Sequence, residues 1–243
     1  MRIPRIYQPV SLVTGQRLEL DGNGVNHAVR VLRLKSGAPV ILFNGEGGAF
    51  DAVLVEAERR RAVVELRTFR DEETESPLAI TLVQGISRGD RMDYTIQKAV
   101  ELGVARIVPV VTARTVVDLK GERREKRRER WQARAIAACE QCGRNRVPEV
   151  APILALDEWL ARPTTAVDCW MLDHRSEAGL AVDLAGAAAT LLIGPEGGLT
   201  ANERSLALSR GYRGLRLGPR VLRTETASVV ALTIMQHRWG DLR

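Results

Sequence analysis

A small β-rich domain leading into an α/β domain with a mostly parallel sheet is the architecture that this sequence predicts. Three observations carry that reading. The first seventy residues hold short strand-like runs and no long helical pattern. From residue 78 onward, strands alternate with helices. Two glycine-proline loops, beginning at Gly194 and Gly218, each join an apolar strand to a helix start. A charged stretch ending in Pro77 separates the two patterns, so we expect domains at 1–72 and 78–243 joined by a linker at 73–77.

In the first part, residues 38–43 are a β-rich run closed by the turn cluster Asn44-Gly45-Glu46-Gly47-Gly48, and 50–55 and 62–69 are further strands. Before them, His27, Arg30 and Arg33 share one helical face, which is either a solvated surface or one that contacts phosphates. Past the linker, 78–84 is a buried strand and 85–90 a loop. A helix follows with Met92, Ile96, Ala99 and Val100 at spacings of three and four, and Gly103 stands where a C-terminal cap belongs. Residues 105–111 are the next strand. The run 120–134 has eight Lys or Arg against three Glu. It reads as an exposed helix with pairs such as Glu122 with Lys126, or as a basic face toward RNA continued by Arg144 and Arg146.

Toward the C-terminus, 191–193 is an apolar strand that enters Gly194-Pro195-Glu196-Gly197-Gly198-Leu199. Thr200 and Glu203 have the spacing of a capping box, and the helix they start should stop at Gly211. The unit then repeats in outline: a strand at 215–217, a loop at 218–223, and Thr224 or Thr226 as N-cap of a last helix with Ala227, Val230, Ala231 and Ile234 on one face. Loops at the carboxyl ends of parallel strands are where open α/β sheets bind ligands, and glycine lets a ligand approach the backbone. A tight strand-to-helix turn needs glycine as well. His174, after Trp170-Met171-Leu172, is either a loop residue at a third strand end or merely structural.

Composition narrows the function. With 243 residues and 45% hydrophobic side chains, the chain can bury a sizeable core. A net charge of +6 and a pI near 9.7 favour a polyanionic partner. Aromatics are only 4%, which disfavours a sheet that stacks bases in the manner of the common RNA-recognition module. Three cysteines make no disulfide framework and Met1-Arg2-Ile3-Pro4-Arg5 lacks the apolar core of a secretory leader, so the expected location is the cytoplasm, away from any membrane. Cys139 and Cys142 form a C-x-x-C pair without the further ligands a zinc site wants, and no metal is expected. Neither a dinucleotide fingerprint nor a P-loop is present.

The two loops, Gly194 to Leu199 and Leu217-Gly218-Pro219-Arg220-Val221-Leu222-Arg223-Thr224-Glu225-Thr226-Ala227, resemble the ribosomal RNA small subunit methyltransferase E family of the SPOUT superfamily. The likeness extends to Arg2-Ile3-Pro4-Arg5-Ile6-Tyr7, to His27 with Arg30-Val31-Leu32-Arg33, to Ser87-Arg88-Gly89-Asp90-Arg91-Met92, and to residues 95–104 and 137–148. This resemblance implies a PUA-like β-barrel, a C-terminal α/β domain with a trefoil knot, and a homodimer. It implies S-adenosylmethionine as methyl donor and N3 of a uridine near the 3′ end of 16S rRNA, within the small ribosomal subunit, as acceptor.

On that basis the expected cofactor-binding residues are Leu172, His174, Ile193, Gly194, Pro195, Gly197, Gly198, Leu217, Gly218, Leu222, Arg223 and Thr224. Arg220 and Arg223 are candidates to favour a developing uracilate, and Glu196 or Glu225 to take the N3 proton. A purely structural Arg223–Glu225 ion pair is the alternative. RNA contacts are expected from Arg2, Arg5, Arg30, Arg33, Arg88, Arg144 and Arg146. The rival reading is a non-catalytic RNA-binding factor that docks on the ribosome; it explains the charge but not the paired glycine loops.

Overall fold

A computed structural model describes residues 3–116, 121–163, 168–177, 179 and 184–243. Contacts divide the chain into two compact units. One joins Met1–Glu75 to Ile136–Val147, and the other joins Ser76–Ala135 to Pro148–Arg243.

The first unit carries β1 (Arg5–Tyr7), β2 (Arg17–Glu19), α1 (Gly22–Val25), a π-helix (Asn26–Val31), β3 (Pro39–Phe43), β4 (Ala49–Ala57) and β5 (Ala62–Arg70). Its five strands form one sheet in the order β1-β3-β4-β5-β2, antiparallel except for β1 on β3. Alternation puts Val40, Leu42, Ala52, Leu54, Val64 and Leu66 into one core with Ile6, Leu20, Val25 and Ala28. Residues 71–76 have no regular secondary structure. They are no free spacer, though. Glu73 accepts the Gly48 N–H, the Glu72 carbonyl accepts from Asn145, and Glu75 takes the Arg144 guanidinium on both oxygens.

The second unit holds β6 (Ala79–Gly85), α2 (Asp90–Glu101), β7 (Val104–Val111), most of α3 (Glu122–Cys142), β8 (Glu149–Val150), β9 (Leu154–Ala155), α4 (Leu156–Leu160), β10 (Asp168–Leu172), β11 (Ala188–Ile193), α5 (Ala201–Ser209), β12 (Arg213–Leu215) and α6 (Thr224–Trp239). The sheet is parallel throughout, ordered β12-β10-β11-β6-β7-β8, with β9 also on β7. Val83, Val108, Val110, Cys169, Met171 and Leu192 pack with Leu156, Leu160, Leu199 and Ala207 into its core.

Local signals behave as the chain predicts. Gly103, φ +76°, ends α2, and Gly211, φ +86°, follows α5. Thr200 Oγ1 accepts the Glu203 N–H while Glu203 Oε2 accepts the Thr200 N–H. Three details differ. The last strand ends at Leu215, which leaves Leu217 in the loop. The N-cap of α6 is Arg223, without a side-chain bond; Thr224 is the first helical residue, and its hydroxyl bonds the Gly194 carbonyl. Residues 136–147, expected within the 78–243 domain, group with the first unit, since Arg144 and Asn145 bond residues 72–75 and Arg5.

Candidate active site

Because β12, β10 and β11 are adjacent and parallel, Leu215, Leu172 and Ile193 end on the same side of the sheet. The segments that follow enclose a cavity of about 490 Å³, within the ~300–1,000 Å³ usual for cofactor sites. Of the expected cofactor residues, Leu172, His174, Ile193, Pro195, Gly197, Gly198, Leu217, Gly218, Leu222, Arg223 and Thr224 line it. Gly194 does not; it stands behind the wall and its carbonyl accepts the Thr224 hydroxyl at 2.8 Å. All four candidate catalytic residues, Glu196, Arg220, Arg223 and Glu225, also line the cavity.

Glycine is required here for two different reasons. Gly198 and Gly218 take left-handed φ values of +66° and +86°, and a Cβ on either would meet no atom of the chain within 4 Å. At Gly85, the end of β6, a Cβ would stand 2.5 Å from the Pro195 nitrogen, so the strand end and the loop touch backbone to backbone.

The first glycine loop is fastened from several elements. Arg114 donates to the Gly197 carbonyl at 2.6 Å, and Glu203 Oε1 accepts the Ala113 N–H at 2.8 Å. Glu196 accepts the Arg88 N–H at 3.0 Å and the Arg91 guanidinium at 2.7 Å. Beneath it runs a buried polar chain: Gln84 Nε2 donates to Thr224 Oγ1 at 3.0 Å, and Thr224 Oγ1 donates to the Gly194 carbonyl. Ser228 Oγ lies 2.7 Å from Gln84 Oε1 as its donor. Gln84 and Ser228 are 0% and 1% exposed, so these bonds replace water that cannot reach them.

The charged residues of the wall divide into held and free. Burial raises the Glu196 carboxyl, but the backbone N–H groups of Arg88 and Glu196 and the Arg91 guanidinium outweigh it and hold the group below its ordinary range. That environment weakens Glu196 as a base. Glu225 differs. Its side chain is 14% exposed, Oε1 is 3.8 Å from Arg91 Nε, and Oε2 is buried with no hydrogen-bond partner. Arg220 and Arg223 are exposed and form no ion pair among the described residues, so the Arg223–Glu225 pair does not form; Arg91 takes that place. Arg91, Asp173 and Arg216 are wall residues that sequence reasoning missed. Arg91 lies in the run Ser87 to Met92, and only its distance in sequence from the loops hid its role.

Placement of the expected RNA-contacting arginines is uneven. Arg30, Arg33, Arg88 and Arg146 are exposed. Arg144 is 4% exposed and ion-paired with Glu75, which removes it from any RNA surface: a buried, satisfied guanidinium has no face to offer. Arg5 donates to the Arg144 carbonyl and lies over the Phe43 ring at 4.7 Å, so it serves the fold of the first unit. Arg2 lies outside the described residues. Cys139 is buried, and burial pushes its thiol up to about 12. Among the described residues, no group of three or more His, Cys, Asp or Glu is placed to hold a metal ion, and no helix is long and apolar enough to cross a membrane.

Comparisons with known proteins match the whole chain to one family. The RNA methyltransferase domain family matches residues 74–236, and the RNA methyltransferase PUA domain family matches residues 20–67. A ribosomal RNA small subunit methyltransferase E from Buchnera aphidicola is 32% identical over 100% of this chain and 96% of its own, and one from Bacillus subtilis is 30% identical over 92% and 91%. Among solved structures, a ribosomal RNA small subunit methyltransferase E from Neisseria gonorrhoeae bound to S-adenosylmethionine superposes with a TM-score of 0.95 at 42% identity, covering 100% of both chains. A putative methyltransferase from Legionella pneumophila in complex with the same cofactor gives 0.96 at 38%, again over 100% of both chains.

Proposed function

The chain belongs to the ribosomal RNA small subunit methyltransferase E family, and from that premise we propose that it methylates N3 of a uridine near the 3′ end of 16S rRNA within the small ribosomal subunit. It is an S-adenosylmethionine-dependent rRNA methyltransferase with an N-terminal PUA domain and a C-terminal α/β methyltransferase domain. The observation that carries the reading is the cavity at three adjacent strand ends, walled by both glycine loops.

The residues present fit the cofactor. Leu172, Ile193, Leu217 and Leu222 offer an apolar surface to a nucleobase, and backbone groups around Gly198 and Gly218 are open to a ligand. Asp173 brings a carboxylate to a site that must receive a cation, and the buried Glu225 Oε2, without a hydrogen-bond partner, leaves Glu225 with an oxygen open to the acceptor base. When bound, S-adenosylmethionine supplies an electrophilic methyl group on a sulfonium. The residues of the chain then position and activate the base. Uridine N3 carries a proton at neutral pH, and Glu225, rather than the tightly held Glu196, is the group we assign to accept it. Arg220 and Arg223, exposed on the wall and unpaired, stabilise the negative charge that develops on the ring.

We further assign the family's homodimer and a cytoplasmic location to this chain. Val221, 77% exposed at the cavity, and the half-exposed Val229, Val230 and Ile234 of α6 support a second copy packing there. The test uses labelled S-adenosylmethionine with small subunits that lack the modification, beside protein-free 16S rRNA. Label is expected in 3-methyluridine, with Glu225→Gln lowering turnover while calorimetric cofactor binding persists. Cofactor binding without label in that nucleoside would refute the acceptor assignment, and unchanged turnover in Glu225→Gln would refute the base.

A further inference from the structure

One surface of the first unit departs from its own sequence pattern. Val25, Ala28, Val29 and Leu32 have the spacing of a single apolar helix face. A regular helix would bury all four. Val25 and Ala28 are buried at 6% and 0%, yet Leu32 is 39% exposed and Val31 63%. The cause is the π-helix. The Leu32 N–H bonds the His27 carbonyl five residues back at 3.0 Å, and the wider turn swings Leu32 outward.

The turn closes through Arg33, whose φ of +54° is the single positive value outside glycine among the described residues. That closure lets the Leu34 N–H reach the Ala28 carbonyl at 2.9 Å, and Leu34 packs on the core in place of Leu32. His27, bonded to Glu140 at 3.1 Å, pins the helix start. A rare helix type and a left-handed arginine thus hold two aliphatic side chains in solvent, where an ordinary helix would hide one of them.

The flanking charges say what covers them. Arg30, Arg33 and Lys35 are exposed and form no ion pair among the described residues. Two aliphatic side chains set among unpaired cations match an unstacked nucleobase with phosphates on either side. They do not match an apolar partner, which would leave those cations desolvated. Resting on the rRNA reading above, we infer that residues 30–33 form an RNA-contacting wedge, with Val31 and Leu32 against an unpaired base and Arg30 and Arg33 on the adjoining phosphates.

The test measures binding of the full chain to unmodified small subunits and to their protein-free rRNA across a salt series. Val31→Ser/Leu32→Ser should weaken binding to both about tenfold and leave the salt slope unchanged, whereas Arg30→Gln/Arg33→Asn should reduce the slope by about one per charge. S-adenosylmethionine affinity by calorimetry and the far-ultraviolet circular dichroism and urea midpoint should match the wild type in both variants, which shows that both units stay folded. Wild-type affinity in the serine variant would overturn the wedge alone. A loss seen with subunits but not with protein-free rRNA would also overturn it, in favour of a ribosomal protein. A wild-type chain that binds neither target would overturn the rRNA reading beneath it.

Discussion

Replacing Thr224 by valine tests whether the buried chain from Gln84 to Gly194 shapes the cofactor cavity. Valine keeps the volume and removes the hydroxyl. Two groups then lose their partner: one N–H of Gln84, 0% exposed, and the Gly194 carbonyl. A buried amide N–H left unpaired costs about 1–3 kcal/mol, and a carbonyl in a half-buried loop about 0.5–1.5 kcal/mol, so the variant should lose roughly 2–4 kcal/mol. Thr224→Ser keeps both bonds and gives up one methyl group at a position 6% exposed, about 0.8 kcal/mol. Urea denaturation reads the stabilities, and calorimetry reads S-adenosylmethionine affinity. We expect Thr224→Val to bind the cofactor about tenfold more weakly than Thr224→Ser, equivalent to ~1.4 kcal/mol. Equal stability of the two variants to within about 0.5 kcal/mol, or equal cofactor affinity, would refute the idea that this hydroxyl holds the wall.

The two glycine roles separate by the same measurements. Gly218→Ala should cost about 1–2 kcal/mol through its left-handed backbone alone. Gly85→Ala places a Cβ 2.5 Å from Pro195 and should cost at least as much, about 1–3 kcal/mol, and abolish cofactor binding by displacing the loop. If Gly85→Ala binds the cofactor normally, the backbone contact does not position the loop. The His27–Glu140 bond predicts a pH dependence. The Glu140 hydrogen bond raises the His27 pKa from its usual 6.5 against the opposing effect of burial. Its stabilisation is therefore complete below about pH 6.5 and is lost as pH rises through the raised value. Thermal unfolding should show that fall above pH 6.5 in the wild type and not in His27→Gln; the same fall in both would remove His27 as its source.

Features encoded by near neighbours were legible in the sequence. Gly103 and Gly211 end helices, Thr200 and Glu203 begin one, and both glycine loops stand where strand patterns stop. What escaped depends on contacts between distant residues or on backbone geometry outside the common periods. Arg144 is one of several arginines in a basic run, and only the fold reveals Glu75, 69 residues earlier, as its partner. Gln84 reads as the polar end of an apolar strand, and its partners Thr224 and Ser228 lie 140 and 144 residues away. Arg91 is hidden in the same way by its distance from Glu196 and Glu225. The π-helix was illegible for another reason: the apolar spacing there suits an ordinary helix, and the extra residue in the turn leaves no compositional mark.

The seating of residues 136–147 beside the first 75 bears on how the chain is made. Synthesis runs from the N-terminus, so the β-rich sheet emerges while Asn145, the Arg144 carbonyl and Glu140 are still about 65 residues from being translated. Until then the Tyr7 N–H lacks the Glu140 carboxylate that accepts it, and Glu75 lacks its arginine. The unit that begins first is finished late, after β6, α2 and β7 of the other have left the ribosome. A fragment cut at residue 75 would lack these bonds, so an excised N-terminal module should carry the 136–147 segment with it.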